Sequence, residues 1–230
     1  MKRFYKDVSV QKTPAGYRIL LDGKPALTPG RNTLLLPTDF LAEAIAEEWR
    51  AQGEEIKPAA MSMLRLANTT LDGVAKTREE VIAAILRFGE HDLLCYRAED
   101  EMLAARQKLE WDPLLDWVAT SYGARLKSRA GIEPIAQPAA ELEKLRAAIA
   151  KQDNFALAGL HALASITGSL VLALAISDAG LDSRHAFSLS RLDEDYQAEK
   201  WGLDAEAADR AEILGQEITA AATFLAAARD

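Results

Sequence analysis

From Ala156 to Ile176 the chain carries no Asp, Glu, Lys or Arg, and that stretch decides what kind of molecule the rest can be. It is long and apolar enough to span a bilayer. Its details argue against that. His161, Ser165, Thr167, Gly168 and Ser169 interrupt it, Asp178 follows closely, and basic residues do not flank it as membrane anchors would. Ala158, Ala162, Ser165, Ser169 and Ala173 form one helical stripe, and Leu157, Leu160, Leu170 and Leu174 form another. This pattern predicts one helix over 155–176, packed among other helices, with no stable membrane insertion.

The chain before it changes character at Thr38. Val8 and Val10 alternate with polar residues, as do Tyr17, Ile19 and Leu21. Asp22-Gly23 supplies a tight hairpin turn. Pro25 and Pro29 make the next stretch an edge strand or an irregular arm, and 33–36 is one more short strand. A sheet this small needs helices over one face. Thr38 suits a helix N-cap, and Leu41, Ile45 and Trp49 follow on one stripe, which makes Trp49 a core residue. A helix from Glu101 should end near Glu110, with Asp112 capping and Pro113 opening a new segment, and with Trp111 and Trp117 packed around the junction.

Gly131, Pro134 and Pro138 punctuate 124–138, which has no sustained period. Beyond it, helices are expected over 140–151, 155–176, 183–200 and 204–228. The fold class is α+β: a small antiparallel β-rich N-terminal part with covering helices, then an all-α C-terminal bundle. The expected division is 1–124 for the first domain, 138–230 for the second, and 125–137 for a connecting loop.

The bulk charge narrows the partners. Lys and Arg total 27 against 35 Asp and Glu, a formal charge of −8. A surface of that sign repels phosphate backbones and anionic lipid, so no nucleic-acid partner is expected. Cys95 is the single cysteine, which fits a reducing compartment, and no signal or transit segment is visible, so the expected location is cytoplasmic.

Chemistry is hard to find. His91, His161 and His185 are isolated, without metal-ligand spacing, so no metal is expected. Glu90, His91 and Asp92 read as a polar surface triplet, His161 as a hydrogen-bonded core histidine, and Cys95 as a small core residue. Phosphate-binding loops, dinucleotide fingerprints and nucleophile elbows have no counterpart, so neither catalytic residues nor a cofactor are expected. A carboxylate pair drawn from distant helices, as in a hydrolase, stays open as an alternative.

One block stands out, Leu189 to Gly202. On a helix Leu189, Leu192 and Tyr196 share a face that can pack on the bundle, while Asp193, Glu194 and Asp195 fan around the other sides. Three adjacent acids cannot all turn inward, because an unpaired buried carboxylate costs several kcal/mol. Trp201, just before the helix-ending Gly202, needs either a slot in the core or a partner.

Six blocks taken together resemble a known family. They are Lys2 to Lys6, Leu21 to Pro25, Glu48-Trp49 with Gln52, Asp92 to Arg97, Trp111-Asp112-Pro113, and Leu192 to Gly202. Their order and spacing are similar to those of the assembly chaperones of the F-type ATP synthase head that act on its α subunit. The resemblance implies a non-enzymatic chaperone that shields the new α subunit until a β subunit replaces it; alone, the chain is expected to be a monomer. Members occur in mitochondria and in some bacteria, and without a transit peptide a bacterial cytoplasmic member is expected. The family's C-terminal acidic cluster maps onto Asp193, Glu194 and Asp195, with Glu194 the first candidate for binding the partner. A general helical adaptor is the other non-catalytic alternative.

Overall fold

The computed structural model describes residues 1–202 and 204–229. Two compact units partition them. The first comprises Met1–Arg78, Asp153–Gly159 and the chain from Ala220 on; the second comprises Glu79–Gln152 and Leu160–Thr219. Segment 125–137, the connecting loop expected from sequence, lies inside the second unit.

The first unit holds the sheet. Strand β1 (Val8–Thr13) pairs antiparallel with β2 (Gly16–Leu21), with Val8 opposite Leu21 and Val10 opposite Ile19. The two-residue strands β3 (Lys24–Pro25) and β4 (Leu35–Leu36) also pair with β2. Asp22 and Gly23 both take positive φ (49° and 77°), as a tight primed turn requires. The Asp22 carboxylate accepts the Lys6 and Asp7 N–H groups, at 2.9 and 2.8 Å.

Helix α1 (Asp39–Arg50) covers this sheet. The Thr38 hydroxyl caps it by accepting the Leu41 N–H, and Leu41, Ala42, Ile45 and Ala46 are buried on the sheet side. Trp49, expected in the core, is only half-buried and meets Tyr5 edge-on at 5.3 Å. It sits in the last turn of α1, one residue before the helix ends at Arg50. Helix α2 (Ser62–Thr69) has no capping side chain of its own at Met61. Glu48 supplies one from α1, its carboxylate accepting the Met63 and Leu64 N–H groups at 2.9 and 2.8 Å. Gln52 bridges backbone too, its side chain donating to the Glu48 carbonyl and accepting the Lys57 N–H.

Helices dominate the remainder. They are α3 (Arg78–Glu90), α4 (Glu101–Ser121), α5 (Ala139–Ile149), α6 (Asn154–Thr167), α7 (Leu170–Asp178), α8 (Ser183–Ser190), α9 (Leu192–Trp201) and α10 (Ala205–Ala227). A parallel pair, β5 (Tyr96–Arg97) with β6 (Arg129–Ala130), lies in the second unit. No described helix is long and apolar enough to cross a membrane.

Three expected boundaries move. The apolar helix over 155–176 is two helices, because Gly168 takes φ +66° and Ser169 begins a new N-terminus as the cap of α7. Leu170 to Ala175 are all buried, so α7 is core on every side and has no polar face to show a period. The helix over 183–200 breaks at Arg191, whose backbone leaves the helical region (φ −114°, ψ 15°). Conversely, α4 does not stop near Glu110 but runs through Pro113. Proline frees the carbonyl four residues back, that of Leu109, and both residues lie on an exposed face where water can satisfy it. Asp112 therefore caps nothing; it pairs with Arg97 at 2.6 Å.

Asp92 is the largest departure. Its neighbour His91 is exposed, but Asp92 is fully buried. Its carboxylate accepts the Ser169 hydroxyl at 2.7 Å, the Val171 N–H at 3.0 Å and the Leu94 N–H at 3.1 Å. It closes the N-terminus of α7, whose orphan N–H groups and positive dipole end favour an anion. Burial nonetheless pushes its pKa up to about 6 against those donors. Cys95 is buried beside it, and burial with the Asp92 charge pushes the thiol up to about 12, which leaves it an inert packing residue.

Candidate interaction site on the acidic helix

Helix α9 begins at Arg191 without a capping side chain, and its first turn carries Asp193, Glu194 and Asp195. Acids there complement the partial positive charge of the helix start. The surroundings sort the three. Asp193 is half-buried and accepts the Gln107 side-chain N–H at 2.6 Å. Gln107 is itself fully buried and accepts the Ala98 N–H at 2.7 Å, so Asp193 belongs to a structural relay. Glu194 and Asp195 keep 57% and 56% of their side-chain surface exposed and face Arg191 at only 4.0 and 3.8 Å. Ion pairs that loose and wet contribute little to stability. Of the three acids, these two are the ones left to meet something else.

The helix beneath them is firmly held. Leu189 and Tyr196 are buried, and Leu192 is half-buried. The Tyr196 hydroxyl donates to Asp100 at 2.7 Å, and Lys200 donates to the other oxygen of the same carboxylate at 3.1 Å. Asp100 also caps α4 by accepting the Met102 and Leu103 N–H groups. The Tyr196 hydroxyl, the Leu103 N–H and Lys200 together hold its carboxyl well below the usual range. Arg106 grips both oxygens of Glu199 at 3.0 and 2.8 Å. Further along α4, Trp111 is buried, its indole N–H donates to the Leu189 carbonyl at 3.0 Å, and Arg97 lies over its ring. Trp117, half-buried, meets Tyr122 edge-on.

Trp201 closes α9 and is 77% exposed; it has found no slot in the core. Gly202, at φ +91°, ends the helix one residue later. Beside the indole lies an open groove of about 510 Å³, lined by Glu194, Asp195 and Asp204, by Arg191 and Arg210, and by Ala198, Trp201, Ala207 and Leu214. Sequence reasoning singled out the three acids and raised the problem posed by Trp201. It missed Asp92 and Gln107, whose partners lie 77 and 86 residues away. It also missed Ile132, 97% exposed beyond β6. Among the described residues no group of three or more His, Cys, Asp or Glu is placed to hold a metal ion.

Two loosely paired acids and a bare tryptophan on one helix are features suited to meeting another protein, and comparison with known proteins gives the family. The sequence model of the ATP12 chaperone protein family matches residues 2–119. The solved Atp12 of Paracoccus denitrificans is 42% identical, with 99% of this chain and 98% of that one covered and a TM-score of 0.94. The Atu1473 protein of Agrobacterium tumefaciens is also 42% identical, over 98% of this chain and 85% of its own, again with a TM-score of 0.94. The mitochondrial protein atp12 of Schizosaccharomyces pombe is 26% identical over 214 residues, which span 87% of this chain and 74% of that protein. This chain belongs to the ATP12 chaperone family. Helix α9 lies beyond the stretch that the family model matches, but inside the full-length likeness to the bacterial relatives.

Proposed function

We propose that this ATP12-family chaperone serves assembly of the F-type ATP synthase head by holding the unassembled α subunit until a β subunit replaces it. The observation that carries the reading is the exposed pair Glu194 and Asp195 on a helix otherwise fixed by Tyr196, Lys200 and Glu199. Asp193 belongs to the same binding face but works through its bond to Gln107, by fixing the helix start. An unassembled subunit exposes an interface resembling a core cut in half, which aggregates unless covered. The cover must also come off, so it binds through steering charge and a small apolar contact rather than through a large sealed interface. The tighter contact of the β subunit supplies the exchange, and no catalytic step or cofactor is needed. The chain acts as a monomer, and we take its compartment to be the bacterial cytoplasm on the bacterial origin of the Paracoccus and Agrobacterium relatives.

The hydrolase alternative asks for a cleft holding two carboxylates with shifted pKa values. The two carboxylates that burial raises, Asp92 and Glu48, each spend their oxygens on a helix N-terminus instead. Depletion of the chain from its host tests the proposal. Free α subunit should aggregate and the assembled head should disappear, whereas normal assembly after depletion refutes it. Release of α on adding β should proceed without nucleotide; a requirement for ATP hydrolysis overturns the exchange step.

A further inference from the structure

The geometry points to the groove beside α9 as the seat of one apolar side chain of the partner, packed against Trp201, with a basic residue of the same segment facing Glu194 and Asp195. This rests on the reading that the chain holds an unassembled synthase subunit, and it names the chemistry of the segment that is held.

Three observations carry it. First, Trp201 is 77% exposed on a helix whose opposite face is pinned by Tyr196, Lys200 and Glu199, so the indole is presented by a rigid support. The chain leaves the helix at Gly202, so no following turn of α9 covers the ring. Presenting an aromatic on a fixed support lowers the ordering cost of binding, and tryptophan is prominent among residues that dominate interface affinity. Second, the groove next to the ring has a volume of about 510 Å³, room for a large apolar side chain, and its lining mixes apolar Ala198, Ala207 and Leu214 with charged residues that include Asp204 and Arg210. Third, acids outnumber bases around the groove: Glu194, Asp195 and Asp204 line it against Arg191 and Arg210. Between Arg191 and Glu212 there are eight Asp or Glu against three Lys or Arg, a net of −5 out of −8 for the whole chain. Arg191, the cation that faces Glu194 and Asp195, approaches no closer than 3.8 Å. A Lys or Arg on the incoming segment completes that arrangement, whereas an acidic segment is repelled.

The two halves of the site then have separate duties. Exposed acids act at a distance and speed encounter in a salt-dependent way, while a desolvated aromatic contact governs how long the complex lasts. Binding of the full-length chain to isolated α subunit, measured as kon and koff at low and high salt, separates them. Trp201→Ala should raise koff by about 30-fold, the scale of an interface hot spot, and leave the salt dependence of kon unchanged. Trp201→Phe should recover most of the loss. Ala207→Glu, which places a charge on the groove lining from α10, should raise koff comparably and serves if the tryptophan variant misfolds. The double change Glu194→Gln with Asp195→Asn should slow kon at low salt and flatten its salt dependence. Wild-type binding with Trp201→Ala and Ala207→Glu both indifferent overturns this inference alone. Failure of the wild-type chain to bind α overturns it together with the proposed function. A dimer of the free chain that Trp201→Ala dissolves, with α binding unaltered, gives the groove to a second copy and also overturns it.

Discussion

Asp92 and Glu194 carry the same kind of charge to opposite ends. Asp92 is fully buried, and its oxygens accept a serine hydroxyl and two backbone N–H groups. Glu48 and Asp22 behave alike elsewhere in the chain, each closing a helix start or a turn by accepting backbone N–H groups. Glu194 and Asp195 accept nothing so close and keep more than half of their side-chain surface in water, facing one arginine at about 4 Å. Most of the blocks that mark the family are therefore devices that hold the fold. On the acidic helix, Glu194 and Asp195 are the acids that the fold does not consume. Under the proposed function, loss at the first group should report on folding, and loss at Glu194 or Asp195 should report on the partner.

Breaking the buried end of the comparison should give the largest effect. Asp92→Ala leaves a hydroxyl and two N–H groups without their acceptor inside the core, and should cost about 3–5 kcal/mol in urea unfolding. A cost under 1 kcal/mol would mean that the Asp92 contacts do not hold α7. The pH dependence sharpens the same point. Burial raises Asp92 from an ordinary 3.8 to about 6, so between those values the folded chain keeps a proton that the unfolded chain has lost. The associated stability is fully present below about pH 4, falls as pH rises through 6, and amounts to roughly 3 kcal/mol. Wild type should thus lose ground to Asp92→Asn between pH 4 and pH 7. A difference that stays flat, or that moves the other way, contradicts this account of the buried carboxyl.

The boundary between the two kinds of acid runs through Tyr196. Tyr196→Phe deletes the hydroxyl bond to Asp100 and keeps the packing, so a loss of about 1 kcal/mol is expected. Faster hydrogen exchange along α9 should accompany it. An unchanged exchange pattern would show that the helix is held by packing alone.

Much of this contrast was hidden from the sequence for a definite reason. The hairpin at Asp22-Gly23, the Thr38 cap and the apolar stripe of α1 depend on neighbours a few residues away, and they were legible. The break at Gly168-Ser169 was not, because α7 is buried on every side and its apolar run has no period to lose. The course of α4 through Pro113 depended on Leu109 facing outward, a fact of packing and not of local pattern. For the acids, sequence located the cluster but could not sort it. Asp193 is consumed by a glutamine 86 residues away, and Asp92 looked like a surface residue because Ser169 and Val171 come to it from far along the chain. Trp201 was recognised as a residue in need of cover, and only the structure leaves it bare.

Glu194→Lys tests the whole comparison with the smallest expected change in stability, since its one ionic contact is loose and exposed. The variant should be measured twice, by its urea midpoint and by rescue of synthase-head assembly in cells depleted of the wild-type chain. The account predicts unfolding within about 0.5 kcal/mol of wild type together with lost rescue. Full rescue, or a variant that fails to fold, contradicts it.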